Sequence, residues 1–308
     1  MEEKIFDILI IGGGSAGITA GIYAKRAGRD VAIVEKFAIG GQLNLIGEIE
    51  NYPGFVKIEG GELAKNFKDH IKALEIPVIR DEALEYNLEG DIKEVVCRKG
   101  VHKARSVIFA MGSISRELGI EGEQEYKGRG VSYCALCDGN FFKNKTVAVV
   151  GSGDSAFSDA QYLADICRHV YILTKDKLKL HNYAKNQFDS NPKVTILKGA
   201  FSQRIEGGQT VEKLTYLQQE KTKEVDVDGV FVAIGRTPDT DKLKGKIQLN
   251  ERGYIIVNNK METSAKGVYS CGDVNANDVK QISTAVGEGA IAGTEANKYV
   301  LRMLYGVK

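Results

Sequence analysis

The sequence predicts an α/β protein: two Rossmann-like dinucleotide-binding domains, the second inserted into the first. Three observations predict it. A strand, a glycine turn, a helix and a strand follow one another near the start, with the turn opening at Gly12. The same order recurs with its turn opening at Gly151. A late segment, Gly267 to Asp273, leads into a run rich in glycine and alanine that can return to complete the first fold. A length of 308 residues suits about two domains.

In the first segment the apolar run Phe6 to Ile11 reads as a strand, the glycines follow, and a helical run continues through Arg26. Val31 to Val34 forms the next strand and ends at Glu35. In the second, Thr146 to Val150 precedes the turn, a helical run reaches Cys167, and Val170 to Leu173 closes the unit. This is the βαβ order. In the third, Thr284, Ala285, Gly287, Gly289, Ala290, Ala292 and Gly293 lie in one helical run. Such a helix costs propensity, which close packing or ligand approach would offset. Phe109 to Gly112 and Ala233 to Gly235 end strands where the chain would cross between domains. The expected division is 1–114 with 245–308 for the first domain, and 115–244 for the second.

Composition excludes several classes. Hydrophobic residues make up 43% and charged residues 27%, as in ordinary globular chains. A formal charge of +1 gives no basic surface for nucleic acid. The apolar run at Ile8 to Ile11 is too short for a signal peptide, and nothing approaches the roughly 18 apolar residues of a membrane span. A cytoplasmic protein is expected. Five cysteines at scattered spacing are not a secreted disulfide framework.

Gly12, Gly14 and Gly17 form GxGxxG. The first glycine permits the tight turn, the second lets backbone approach a pyrophosphate, and the third lets helix and strand pack. The phosphate would sit at the helix N-terminus, beside Ser15 and Ala16. Glu35 is placed to accept a ribose hydroxyl and would repel a 2′-phosphate, so FAD and NAD both fit. Gly151, Gly153 and Ala156 form GxGxxA, with Asp154 and Ser155 between them, and imply a second nucleotide. Its charged residues suit NADPH poorly. Lys175, Lys177 and Lys179 could meet a 2′-phosphate, but lysine gives no bidentate fork and Asp176 opposes it. NADH would want an acidic residue where Thr174 stands.

Cys134-Ala135-Leu136-Cys137-Asp138 is the chemical centre. A cytosolic CxxC can close a small disulfide ring and can lower one thiol's pKa. Asp138 could pass protons during thiol exchange if burial raises its pKa. Half a zinc site would need a second Cys or His pair; by spacing, Cys97, Cys167, Cys271, His70, His102, His169 and His181 offer none, so no metal is expected.

These motifs, in the order GGGSAG, Glu35, Gly40-Gly41-Gln42, Glu50 to Gly54, CALCD, GSGDSA, Ala233 to Gly235 and Gly272-Asp273-Val274, resemble bacterial low-molecular-weight thioredoxin reductases over essentially the whole chain. The resemblance implies a homodimer that binds FAD and reduces thioredoxin through Cys134 and Cys137. It also implies an FAD domain built from both chain ends, and domains that rotate. It places FAD contacts at Gly12, Gly14, Ser15, Ala16, Gly17, Glu35, Lys36, Gly41, Gln42, Asn51, Gly272, Asp273, Gln281 and Ile282. For NAD(P)H it points to Gly151, Gly153, Asp154, Ser155, Ala156 and Lys175.

The sequence departs from that family where NADPH would bind. The usual His-Arg-Arg and further Arg read Thr174-Lys175-Asp176 and Leu180, and the usual glutamate pair reads Ser158-Asp159. Similar losses occur in clostridial-type relatives that use reduced ferredoxin. A plant-type ferredoxin at about −400 mV and thioredoxin at about −270 mV differ by roughly 130 mV, on the order of 6 kcal/mol downhill for two electrons. The expected donor is thus NADPH or ferredoxin. A flavin redox sensor without turnover is the reading from another class.

Overall fold

A computed structural model describes residues 4–175, 188 and 191–306. The chain forms two compact units, Met1–Ile114 with Thr237–Lys308, and Ser115–Arg236. The return to the first unit thus falls at 236/237, earlier than the expected 244/245. The reason is packing. Leu243 is fully buried in the first unit's core with Phe6, Val95 and Val268. Lys242 and Lys246 donate to the Ala83 and Tyr86 carbonyls at 2.9 and 2.6 Å.

In the first unit, alternating or continuous apolar residues make strands β1 (Ile5–Ile11) and β2 (Val31–Glu35). Two short strands, β3 (Glu48–Ile49) and β4 (Ile58–Glu59), pair with each other. The main sheet is extended by β5 (Val78–Arg80), β6 (Ala83–Asn87), β7 (Lys93–Cys97) and β8 (Gly100–Phe109). Strand β9 (Ser113–Ser115) leads out of the unit.

The second unit holds β10 (Val131–Ser132), β11 (Thr146–Val150), β12 (His169–Thr174) and β13 (Val194–Lys198). Its remaining strands are β14 (Ala200–Gly207), β15 (Val211–Gln218), β16 (Lys221–Asp226) and β17 (Gly229–Val232). Strand β18 (Arg236–Pro238) leads back, and β19 (Val268–Ser270) rejoins the first sheet.

The first sheet runs β5-β2-β1-β8-β7-β6, with β19 also on β8. Strand β8 serves two partners in succession. Its first half pairs antiparallel with β7 through residues 100–104, and its last three residues pair parallel with β19. Parallel pairing with β1 runs along its other edge. The second unit's parallel sheet runs β10-β17-β11-β12-β13, and β14-β15-β16 form a separate antiparallel sheet.

The described α-helices are α1 (Ser15–Arg26), α2 (Gly60–Ala73), α3 (Ala135–Asp138), α4 (Asp154–Ile166) and α5 (Ile282–Tyr305), with short 3₁₀ turns at Gly41–Leu45, Gly139–Phe142 and Asp241–Leu243. Each βαβ unit forms where the sequence predicts it. The glycine-rich helix is α5, and its composition is explained by α1. A Cβ on Gly289 would lie 2.3 Å from the Ala16 carbonyl oxygen, and one on Gly293 2.4 Å from that of Ala20. The two helix backbones are in contact, so only glycine fits there. Among the described residues no helix is long and apolar enough to cross a membrane.

Candidate active site

The two glycine turns share one construction. Gly12 has φ +108°, and a Cβ there would meet the Ala110 carbonyl oxygen at 2.4 Å. Gly151 stands against the Ala233 carbonyl oxygen at 2.3 Å in the same sense. The second glycines differ from the first: around the Cβ positions of Gly14 and Gly153 nothing lies within 4 Å. The first glycine is therefore demanded by the neighbouring strand, whereas the second keeps a backbone surface open at the head of a helix. Gly14 caps α1 without a side chain, and no acidic residue lies in the first turn. The free amides there suit an anion. Gly17 is required because a Cβ would come within 2.0 Å of the Gly12 oxygen.

Around the first turn, Glu35 accepts the Gly13 and Phe37 amides, both at 2.7 Å. These bonds fix the carboxylate at the end of β2, and its other lone pairs are left for a hydroxyl. Gly40 donates to the Gly13 oxygen at 2.8 Å. Gly41 sits against Gly14, its Cβ position 3.1 Å from the Gly14 Cα. Gln42 donates to the Ser113 carbonyl at 3.0 Å. Asn51 and Gln281, far apart in sequence, meet at 3.2 Å. Lys36 pairs instead with Asp239 at 3.0 Å, on the surface. Gly272, φ +81°, places its Cβ position 2.8 Å from the Ala16 Cβ, so the late segment lies directly on α1. Ile282 opens α5, half-buried. Thus residues from both ends of the chain surround the Gly12–Gly17 turn.

Sequence reasoning missed the support beneath the 272–281 loop. Glu288 accepts the Gly272 amide at 2.7 Å and the Asn275 side chain at 2.9 Å, and is also bonded by Asn277. Burial pushes its carboxyl up, and the Gly272 amide opposes that. Lys280 donates to the Asp273 carbonyl at 3.0 Å and to Asn277 at 2.9 Å. The only sequence signal was an acid between two glycines of a glycine-rich helix, which carries no motif.

In the second unit Ala156 takes the third place of the turn and is fully buried. Thr174 ends β12 buried, paired in register with Lys198. Lys175 is exposed, its Nζ 5.9 Å from the Phe201 ring centre. Ser155 is exposed. The Asp154 side chain and residues 176–187, including Asp176, Lys177, Lys179, Leu180 and His181, lie outside the described residues.

Cys134 and Cys137 are joined as a disulfide, with Cα atoms 5.3 Å apart. Cys134 is the N-cap of α3, and its sulfur accepts the Cys137 amide at 3.2 Å. That amide would stabilise a thiolate at Cys134. Asp138 is largely withdrawn from solvent, and burial pushes its carboxyl up. A second missed residue touches it: the Ser132 hydroxyl donates to Asp138 Oδ2 at 2.6 Å and accepts the Cys134 amide at 3.1 Å. Nearby, buried Glu123 accepts the amides of Leu118 and Gly119 and the Tyr133 hydroxyl, at 2.9, 2.8 and 2.9 Å. Tyr133, directly before Cys134, is thereby fixed.

The remaining thiols, Cys97, Cys167 and Cys271, are buried and reduced. Burial pushes Cys97 and Cys167 each up to about 11, far from a reactive thiolate. Spacing offers Cys97 no partner, yet the fold brings Asp81 and His102 to it, with ligand atoms within 4.8 Å of one another. Both Asp81 oxygens already accept amides, from Glu82 at 2.8 Å and Lys99 at 3.0 Å. The carboxylate thus staples the β7–β8 hairpin to the loop after β5. His70 is exposed on α2, and His169 bonds Thr195 at 2.9 Å.

A redox disulfide in an inserted dinucleotide fold has close counterparts. The family model described as pyridine nucleotide-disulphide oxidoreductase matches residues 6–289. A thioredoxin reductase of Peptoclostridium acidaminophilum is 37% identical, over 97% of this chain and 98% of that protein. The chain belongs to the pyridine nucleotide-disulphide oxidoreductases, among the thioredoxin reductases. The solved thioredoxin reductase of Streptococcus pyogenes is 37% identical, with a TM-score of 0.91 over 96% of this chain and 98% of that one. A ferredoxin-flavin thioredoxin reductase from Clostridium acetobutylicum is 33% identical, with a TM-score of 0.54 over 98% and 99%. Membership fixes the class of chemistry as flavoprotein disulfide oxidoreduction.

Proposed function

We propose that the protein is an FAD-dependent reductase of thioredoxin that works through Cys134 and Cys137. The observation that carries this reading is the disulfide at the head of α3, with a buried carboxyl, Asp138, as the next residue. FAD, when bound, supplies the electron pair. The residues fit it: Gly14 leaves backbone open at the head of α1, Glu35 is held for a ribose hydroxyl, and Gly272 lies on α1 at Ala16, while Gln42, Asn51, Asp273 and Gln281 would add contacts by the resemblance.

Two electrons and two protons convert the Cys134–Cys137 disulfide into two thiols, with Asp138 holding a proton for the departing sulfur. One cysteine thiolate then attacks the disulfide of thioredoxin; that S–S bond breaks and a mixed disulfide forms. The second thiolate attacks the mixed disulfide, restores Cys134–Cys137 and releases reduced thioredoxin. The enzyme acts in the cytoplasm as a homodimer, by its resemblance to the thioredoxin reductases. Replacing Cys137 by Ser should abolish thioredoxin reduction while FAD stays bound; retained turnover would rule out the pair as the relay.

For the donor, the intact turn at Gly151, Gly153 and Ala156 favours NADPH. A second reading, reduced ferredoxin, is favoured by the buried Thr174 and by lysines after it with no arginine among them, where a 2′-phosphate clamp would need guanidinium groups. The Clostridium acetobutylicum relative supports it. Anaerobic stopped-flow with NADPH, NADH and reduced ferredoxin separates the two. Fast flavin bleaching by NADPH at micromolar concentration establishes the first; bleaching by ferredoxin and by neither nucleotide establishes the second.

A further inference from the structure

We infer that Ser132 is a positioning residue of the Cys134–Cys137 pair: its hydroxyl ties the Asp138 carboxyl to the Cys134 backbone and holds it for proton exchange with the pair. Ser132 is 5% exposed and ends β10, whose parallel pairing with β17 sets Ser132 opposite Phe231. It therefore stands on the sheet, whereas Cys137 and Asp138 belong to a helix of four residues that Cys134 caps. The rigid strand reaches the reactive helix through one oxygen.

That oxygen has one hydrogen and two lone pairs. It accepts the Cys134 amide at 3.1 Å and donates to Asp138 Oδ2 at 2.6 Å, and it lies 3.4 Å from the Cys134 carbonyl oxygen. While Asp138 is ionised, the hydroxyl hydrogen points at Oδ2. Once Asp138 is protonated, the carboxyl O–H donates into Ser132 Oγ, and the serine hydrogen turns to the Cys134 carbonyl. The contact persists through the proton transfer, and only the hydrogen moves. The bond is stronger to the charged form. Ser132 thus opposes the burial that favours the neutral acid, and keeps the proton transferable.

The elements packed around this site carry other titratable groups. Helix α4, packed on α3, carries Asp159, pushed up to about 6 by burial, exposed Asp165, and the Tyr162 phenol. The segment after β10 carries Tyr133 on Glu123. The 3₁₀ turn Gly139–Phe142 carries none.

The inference rests on Asp138 as the proton carrier proposed above. The test uses the full chain with FAD, chemically reduced, with neither donor nor thioredoxin, and follows the iodoacetamide alkylation rate against pH. Cys97, Cys167 and Cys271 are buried, so Cys134 and Cys137 dominate the signal. The wild type should show an inflection from Asp138 that Asp138→Asn removes. Loss of a hydrogen bond to the charged carboxylate in Ser132→Ala should move that inflection up by about one pH unit. Ser132→Thr should restore it. In the Asp138→Asn background Ser132→Ala should leave the profile shape unchanged, which a merely structural role for the serine would not.

An unmoved inflection in Ser132→Ala, or an equal change with and without Asp138, overturns the inference. If Asp138→Asn itself matches wild type, the proton role of Asp138 fails first. Should Ser132→Ala fail to fold, Ser132→Thr and Ser132→Val form a matched pair of one shape. A shift in Val alone supports the hydroxyl, and identical profiles overturn it.

Discussion

At the scale of single residues, one acid beyond the second glycine turn has an energetic consequence. The helix after that turn carries Asp159, whose carboxyl burial pushes up to about 6. An unfolded aspartate titrates near 3.9. Below about pH 4 the group is protonated in both states and costs nothing. As pH rises to about 6 the unfolded chain releases its proton while the folded chain resists, so stability falls across that window and stays lower above it. A shift of about two units corresponds to roughly 3 kcal/mol, reduced to about 1–2 kcal/mol by partial exposure of the group. Asp159→Asn should therefore raise the melting temperature by several degrees at pH 8 and leave it unchanged at pH 4. Thermal melts at the two pH values check this, and an equal shift at both would place the effect elsewhere. The site residues divide in the same local way. Gly12, Gly17 and Cys134 are legible because turn geometry and thiol chemistry permit few residue types. Ser132 and Glu288 act through one hydrogen-bonding oxygen or carboxylate, and a serine or a glutamate elsewhere in the chain has the same sequence appearance.

At the scale of elements, the contact of α1 with α5 links the two chain ends. Backbone approach at Gly289 and Gly293 accepts a helix propensity loss of about 1 kcal/mol per glycine. Nothing lies within 4 Å of the Cβ position of Gly287 on the same helix. The two positions should respond oppositely. Gly293→Val drives a branched side chain into the Ala20 backbone, should cost more than about 3 kcal/mol, and should release FAD by displacing the head of α1. Gly287→Ala meets no atom and should gain up to about 1 kcal/mol. Flavin content after gel filtration and the melting temperature read both. The βαβ units were legible because their periodicity and glycine turns are local. The division of β8 between β7 and β19 was not. Both partners contact the same edge of a ten-residue strand, and no local pattern in Gly100–Phe109 marks where one ends and the other begins.

At the scale of the whole molecule, each unit has cores of its own. Phe6, Leu9, Val95, Val107 and Leu243 belong to the first, and Val131, Val150, Leu214 and Val230 to the second. The chain crosses only between residues 114 and 115 and between 236 and 237. The sequence expectation for the outward crossing rests on Gly112, which follows a completed strand. Sequence placed the return crossing late because 237–244 has no strand-like run, although Leu243 is buried with Phe6. Two cores and two thin connections predict separable unfolding. A ligand that binds one unit stabilises that unit by RT ln(1 + [L]/Kd), about 2.7 kcal/mol at a hundredfold excess over Kd. If FAD is held by the Gly12–Gly17 turn and the 272–281 loop, calorimetry of the deflavinated chain should show two transitions, and added FAD should raise one of them by several degrees. Gly293→Val should lower that same transition, because its clash lies in the FAD unit, whereas Asp159→Asn should move only the other. A single transition that rises as a whole with FAD would mean that the two units unfold as one. A flavin response in the transition moved by Asp159→Asn would place FAD at the Gly151 turn instead of the Gly12 turn.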